Sequence, residues 1–155
     1  MKVSSSPKTV KQFQRNPWPF QATFQTPLKD LERFVSTFIS AHQFIQNGCM
    51  TIDDYIFEPK TLNAFLAQHS VSAVLTHGVS LEADGQQQVK ALLRATLADW
   101  IDFLFIPFPK RFAIYADHDE YTTFYANTKG NLSKIVHALK EKRFEQVDDY
   151  ERTFR

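Results

Sequence analysis

Residues 111–126 have the sequence RFAIYADHDEYTTFYA, which carries a clear signal for strands. Two stretches rich in aromatic and β-branched residues, 111–116 and 121–126, flank the polar segment 117–120. Aromatic and β-branched side chains favour strands, and a short polar segment between two such stretches is typical of a hairpin turn. The pattern therefore predicts an antiparallel hairpin.

The sequence after this hairpin predicts a helix and then a strand. A helix beginning at Asn131 would place Leu132, Ile135, Val136 and Leu139 on its inner face, because apolar residues then recur at helical spacing. Residues 144–150 predict a final strand. The C-terminal third is thus expected to form a β-β-α-β unit.

Two long amphipathic helices are predicted before the hairpin. The first covers about residues 27–47, between Thr26-Pro27, a favourable helix start, and Asn47-Gly48, a favourable helix end. The second covers about residues 85–105, and its apolar positions include Leu97, Trp100, Ile101 and Leu104. Helices with one apolar side need a broad apolar surface to cover, which a sheet provides.

The remaining segments predict shorter elements. Alternating apolar and polar residues predict a strand from residue 20 to 25, and Pro59 is a favourable start for a short helix. The odd positions from Val71 to Leu81 are apolar or, at His77, histidine, which predicts another strand, interrupted at Gly78.

These elements predict an α+β fold with a mainly antiparallel sheet. The 155 residues, 43% of them hydrophobic, are enough for one core. We expect a basic N-terminal arm over residues 1–19 and a single α+β domain over residues 20–155. All 17 acidic residues lie from Asp30 onward, whereas the residues before Asp30 carry only basic charges.

Composition excludes several classes of protein. A single cysteine excludes a disulfide scaffold and a cysteine-based zinc site. No window approaches the roughly 20 apolar residues of a membrane helix, and the first 16 residues lack the apolar stretch of a secretory signal. We therefore expect a cytoplasmic protein without membrane insertion, and no cofactor signature is recognisable.

The turn segment Asp117, His118, Asp119 and Glu120 is the main candidate site. Its carboxylates and imidazole could bind a hard cation, with Asp117, His118 and Asp119 as ligands, or transfer protons. The alternative is an ordinary solvated turn, because aspartate is favoured in turns by its bonds to nearby backbone amides. Adjacent turn residues also point apart, which disfavours convergence on one ion.

Further candidate binding residues are basic or aromatic. Lys110 and Arg111 lie between phenylalanines, and Trp18 lies at the end of the basic arm. Such a mixture suits single-stranded nucleic acid, although core packing explains most aromatic rings equally well. By contrast, His42 lies on an apolar helix side and Cys49 follows a glycine, so both are expected to be buried or half-buried structural residues.

Three functions remain open at this point. The preferred hypothesis is a non-enzymatic module that binds another protein, for example in the manner of immunity proteins or antitoxins, or of a regulatory protein. The first alternative is a metal-dependent hydrolase that uses the turn 117–120. The second alternative is nucleic-acid binding through the basic arm, which would be strongly salt-dependent.

Overall fold

The computed structural model describes residues 1–42, 44–72 and 74–153. Within these residues the strands form one eight-stranded sheet, and its neighbouring strands are antiparallel. The strands are β1 (Lys2–Ser4), β2 (Phe20–Gln25), β3 (Asn47–Asp54), β4 (Ser80–Asp84), β5 (Asp102–Phe108), β6 (Phe112–Ala116), β7 (Tyr121–Ala126) and β8 (Gln146–Val147). Their order across the sheet is β1-β4-β3-β5-β6-β7-β2-β8.

The helices cover the two sides of the sheet unequally. They are α1 (Lys8–Arg15), α2 (Leu31–Ser40), α3 (Lys60–Gln68), α4 (Gln86–Ala98) and α5 (Lys129–Glu141), with a 3-10 turn at Leu28–Asp30 before α2. Residues of α2, α3, α4 and α5 join one side of the sheet in the larger apolar core. Helix α1 packs on the opposite side, where Phe13 enters a smaller core with residues of β5, β6 and β7.

Phenylalanine rings fill much of the larger core. Phe34 and Phe38 of α2 make edge-to-face contacts with each other at 5.3 Å, and Phe38 contacts Phe124 of β7 at 5.0 Å between ring centres. Phe144 contacts Phe34 at 5.2 Å. Each such pair stabilises the fold by roughly 0.5–1.5 kcal/mol beyond the burial of its area. The packing gives a structural role to many of the 15 phenylalanines.

The predicted α+β fold with a mainly antiparallel sheet is confirmed. The hairpin consists of β6 and β7, paired from Phe112↔Ala126 to Ala116↔Thr122. Strand β2 has the predicted bounds, and the C-terminal order β6, β7, α5, β8 is the expected β-β-α-β unit. The final strand is shorter than predicted, because only Gln146 and Val147 pair with β2.

The second long helix, predicted over 85–105, is shorter. Helix α4 ends at Ala98, Trp100 has a positive φ of 55°, and the chain then enters β5. The side chain of Asp99 accepts hydrogen bonds from the backbone amides of Thr61 and Leu62, at 3.2 and 2.7 Å, and so satisfies the start of α3. The apolar stretch after Trp100 is a strand buried on both sides, which has no periodicity that distinguishes it from a buried helix.

The first long helix, predicted over 27–47, is also shorter. Helix α2 ends at Ser40, and Asn47-Gly48 begins β3 instead of ending a helix. Gly48 is required there by packing, because a β-carbon at this position would overlap the ring of Phe105 on β5. Gln43, inside the predicted range, lies outside the described residues.

The prediction of a strand from Val71 to Leu81 is largely wrong. Strand β4 begins at Ser80 and continues to Asp84, directly before the range predicted for the second long helix. The described residues of the segment before it form a loop that turns at Gly78, whose φ is 89°. Within this segment Ala73 lies outside the described residues. The apolar residues Leu75 and Val79 are buried in this loop without strand pairing, whereas His77 is exposed.

The first 19 residues pack against the sheet. Strand β1 pairs with β4 from Lys2↔Glu82 to Ser4↔Ser80. In α1 the buried Thr9 donates a hydrogen bond to the sulfur of Cys49 at 2.9 Å, and Phe13 contacts Tyr125 edge-to-face at 5.0 Å. Cys49 is half-buried, and burial raises the pKa of its thiol, as is usual for a packed cysteine.

Among the described residues, none of the helices has the length and apolar character needed to cross a membrane.

The close approach of Gly48 and Phe105 makes a testable prediction. Replacing Gly48 with Ala should lower the free energy of unfolding by about 1–3 kcal/mol, because the new methyl group forces the buried Phe105 ring to move. Urea denaturation followed by circular dichroism measures the change.

Gly130 provides the matched control. It lies in α5, and a β-carbon there would meet only the hydroxyl of Thr128 at 4.0 Å. Gly130→Ala should therefore leave stability unchanged or raise it by about 0.5 kcal/mol, since alanine favours helices. Equal effects of the two substitutions would contradict the packing argument.

Candidate functional site

One half of the sheet side that carries α1 is polar. Side chains alternate along a strand, so the residues on this side have the same parity as Leu104 in β5, Ala113 in β6 and Tyr125 in β7, which pack under α1. Further along the same strands, residues of that parity are polar, and Tyr115 among them also belongs to the smaller core under α1. We call this group the open face, and it consists of Asp53, Asp102, Tyr115, Asp117 and Thr123.

Asp102 and His118 form a pair at the edge of the open face. Asp102 begins β5, and its Oδ1 accepts hydrogen bonds from the backbone amide of His118 at 2.8 Å and from Nδ1 of the imidazole at 3.0 Å. Because a carboxylate only accepts, Nδ1 must carry a hydrogen. This leaves Nε2 toward the surface, 3.8 Å from the carboxylate of the exposed Asp119.

The environment shifts the pKa of both groups of this pair. The hydrogen bond with Asp102 raises the pKa of His118 above its ordinary value, and the charges of Asp102, Asp119 and Asp117 act in the same direction. Burial raises the pKa of Asp102, although the bonds from His118 oppose that effect. The pair can therefore hold a proton at a pH where an isolated histidine would have lost it.

Tyr115 and Asp53 form a second pair. The Tyr115 hydroxyl donates to the carboxylate of Asp53, which lies at an irregularity in the β3–β5 pairing, between Ile52 and Asp54. Burial is the main cause that raises the pKa of Tyr115, and the hydrogen bond to Asp53 is the second. The phenol therefore keeps its proton and remains a hydrogen-bond donor. His77 approaches the same aspartate, with Nδ1 at 2.7 Å from its backbone oxygen.

Asp117 links the turn to a distant part of the chain. Its Oδ1 accepts from the backbone amides of Asp119 at 2.9 Å and Tyr121 at 3.2 Å, and its Oδ2 accepts from the guanidinium of Arg152. Only 11% of the Asp117 side chain and 13% of the Arg152 side chain are exposed. The pair is thus a buried ion pair whose remaining acceptor positions are used by the turn.

The predicted turn residues therefore differ in their surroundings. Asp117 is half-buried and bound to Arg152, His118 is paired with Asp102, and Asp119 is exposed. Glu120 has a positive φ of 66°, and its backbone oxygen accepts from the amide of Thr26. The carboxylates of Asp117 and Asp119 and the imidazole do not converge on one point.

No cluster of three or more His, Cys, Asp or Glu side chains suited to a metal ion occurs in the part of the chain that the structure describes. The proposed ligand set Asp117, His118 and Asp119 is divided because Asp117 binds Arg152 and His118 binds Asp102. Metal-dependent hydrolysis at the turn consequently gains no geometric support.

The other predicted binding residues lie elsewhere. Lys110 and Arg111 lie between β5 and β6, at the opposite end of the sheet from the turn. Since six residues of strand separate Arg111 from Asp117, the distance is roughly 20 Å. Trp18 stacks on Phe13 at 5.7 Å and donates to its backbone oxygen, beside the segment that carries Arg152. These residues thus do not form one site with the turn.

Exposed apolar side chains adjoin the acidic end of the sheet. Tyr55, Ile56 and Phe57 follow β3 directly and are 39%, 55% and 54% exposed. We call these three residues the apolar rim. Phe57 contacts Trp100 at 5.5 Å, which holds the rim near the start of β5.

Sequence reasoning missed Asp53, Asp102, Thr123 and Arg152. Asp102 gave one usable signal, since it is an acid within the apolar stretch 100–108 and a buried acid needs a partner. The other three gave none, because their role depends on pairing between distant segments.

No family model, curated protein or solved structure matches the chain. The functional proposal therefore rests on the geometry of the open face and the apolar rim.

The Asp102–His118 pair makes a prediction about pH. Asp102→Asn should lower the pKa of His118, because it removes the main hydrogen-bonding carboxylate, and Asp119→Asn should lower it less. NMR titration of the imidazole protons measures both shifts. Since folding raises the pKa of His118, its contribution to stability is complete below the ordinary value of 6.5 and is lost as the pH rises through the folded value. An unchanged titration in Asp102→Asn would contradict the pairing.

Proposed function

We propose that the protein is a non-enzymatic binding module that recognises a basic partner protein through the open face and the apolar rim. The observation that carries the proposal is that acidic side chains directly precede the exposed apolar rim in the chain. Asp53 is 40% exposed and is held by the Tyr115 hydroxyl, and Asp54 is exposed.

Charge supports a basic partner. The bases that pair with carboxylates of the open face are Arg152 with Asp117, His77 with Asp53 and His118 with Asp102. Further carboxylates lie beside them on the turn and next to the apolar rim. The carboxylates are Asp53, Asp54, Glu58, Asp102, Asp117, Asp119 and Glu120. Such a surface attracts a positively charged partner and increases the rate of encounter.

Exposed apolar area supports a protein rather than a small ion as the ligand. Interfaces between proteins combine a few aromatic or aliphatic side chains with a surrounding polar region. Ile56 and Phe57 offer the apolar part, and the neighbouring carboxylates offer the polar part.

Fixed orientation of the carboxylates supports specificity. Asp53 is held by Tyr115, Asp102 by His118 and Asp117 by Arg152. Ordering these groups before binding lowers the entropy lost when the complex forms. The immunity or antitoxin function is one specific form of this proposal, in which the basic partner is a nuclease or another toxin.

Substitutions on the apolar rim test the proposal. The tagged full-length protein is crosslinked in cells of its source organism, and captured proteins are identified by mass spectrometry. Phe57→Ser and Asp119→Lys should each reduce capture of a basic protein by tenfold or more, because one removes an apolar anchor and the other reverses an exposed charge.

Phe108→Ser and Lys110→Glu are the matched controls at the other end of the sheet, where Phe108 is 47% exposed. They should leave capture unchanged. Capture lost equally in all four variants, or a captured protein that is acidic, would contradict binding through the open face.

A further inference from the structure

The segment after β8 places its own arginine on the open face. The guanidinium carbon of Arg152 lies 4.6 Å from the ring centre of Tyr115, its Nε donates to the hydroxyl of Thr123 at 3.1 Å, and its Nη2 donates to Asp117. The ring of Tyr150 lies on a second side at 5.7 Å. An aromatic surface, a carboxylate and a hydroxyl acceptor thus enclose one planar cation.

This combination is selective for arginine over lysine. The guanidinium is planar, so it stacks on an aromatic ring while its edge donates to acceptors in the same plane. A lysine ammonium is a compact, strongly hydrated charge, and it lacks the planar face and the fixed fork of donors that the guanidinium has. Asp117 is fixed by the backbone amides of the turn, so the acceptor keeps its position independently of the cation.

The segment that supplies Arg152 has limited anchoring to the body. Strand pairing ends at Val147, and Asp149 turns the chain with a φ of 58°. The hydrogen bonds described beyond this point converge on Arg152, where the backbone exchanges bonds with the Gln21 side chain at 2.8 and 3.0 Å. Among the described residues, displacing the segment would therefore break the contacts of Arg152 and the ring contact of Tyr150 with Tyr121 at 5.0 Å.

A groove adjoins the pocket and continues along α1. It has a volume of about 490 Å³, and its lining includes Trp18, Tyr125, Glu151 and Arg152. Chain from a partner could lie there beside the pocket. The placement gives Trp18, which the sequence suggested as a binding residue, a role next to Arg152.

We propose that Asp117, Tyr115 and Thr123 form an arginine-recognition pocket, in which Arg152 is an internal ligand that exchanges with an arginine side chain of the basic partner. This inference rests on the proposed function, because it identifies the group that the partner contributes. Until exchange occurs, Arg152 covers the pocket and reduces the apparent affinity for the partner.

The experiment measures binding of a small probe to the full-length protein. Arg152→Ala is titrated with N-acetyl-L-arginine amide, and the backbone amides of Tyr115, Asp117 and Thr123 are followed by NMR. These signals should shift with saturation in the millimolar range. The wild-type protein should bind the same probe at least tenfold more weakly, because its own Arg152 competes.

Two controls separate recognition from non-specific charge effects. N-acetyl-L-lysine amide should bind Arg152→Ala at least tenfold more weakly than the arginine probe. The double variant Arg152→Ala, Asp117→Asn should lose binding of the arginine probe. Equal binding of the two probes, or no saturable shift in a folded Arg152→Ala protein, would overturn the proposal.

Arg152→Lys replaces Arg152→Ala if the alanine variant does not fold. A lysine at position 152 lacks the planar fork of donors, so the arginine probe should compete with it more easily. The same amide signals should therefore shift more than in the wild type. No shift would overturn the proposal. Because no partner is used, failure of this titration is distinguishable from failure of the crosslinking experiment.

Discussion

Burial of β5 on both sides is the constraint on which the rest of the structure depends. Phe103 and Phe105 enter the larger core, whereas Leu104 and Ile106 enter the smaller one. The strand therefore needs helices above and a covering element below, and α1 supplies the cover over only part of its length. Where that cover ends, the same alternation places Asp102 on this side of the sheet, with 13% of its side chain exposed. The candidate site is thus a consequence of incomplete covering of a doubly buried strand.

The sequence predicted elements whose pattern is local. The hairpin of β6 and β7, the strand β2 and the helix α5 each have a periodicity and end signals within a few residues. The sequence predicted the wrong element where periodicity is ambiguous. In β5, for example, the apolar residues are continuous and resembled the end of α4. The interpretation of Gly48 as a helix end was also wrong, because this glycine is required by the Phe105 ring on the neighbouring strand. Such a contact between strands is invisible in one segment.

The candidate site was only partly predictable for the same reason. The turn 117–120 was recognisable as an unusual group of acids and a histidine, but its partners come from β3, β5 and the segment after β8. The four turn residues have different surroundings in the fold. Asp117 binds an arginine, His118 binds an aspartate, Asp119 is exposed, and the backbone oxygen of Glu120 accepts from Thr26. A group of adjacent polar residues in the sequence suggests that their side chains meet at one ligand. In a turn such side chains point apart, and the groups that bind one ligand usually come from separate elements.

The outermost strands of the sheet have a consequence for behaviour at high concentration. One border is the three-residue β1 and the other is the two-residue β8. Short borders leave few free backbone groups on which another chain could add a strand. The long apolar strands β5, β6 and β7 lie inside these borders and have a neighbouring strand on both sides. Exposed apolar side chains such as Phe57 can then coexist with central strands to which a second chain cannot add.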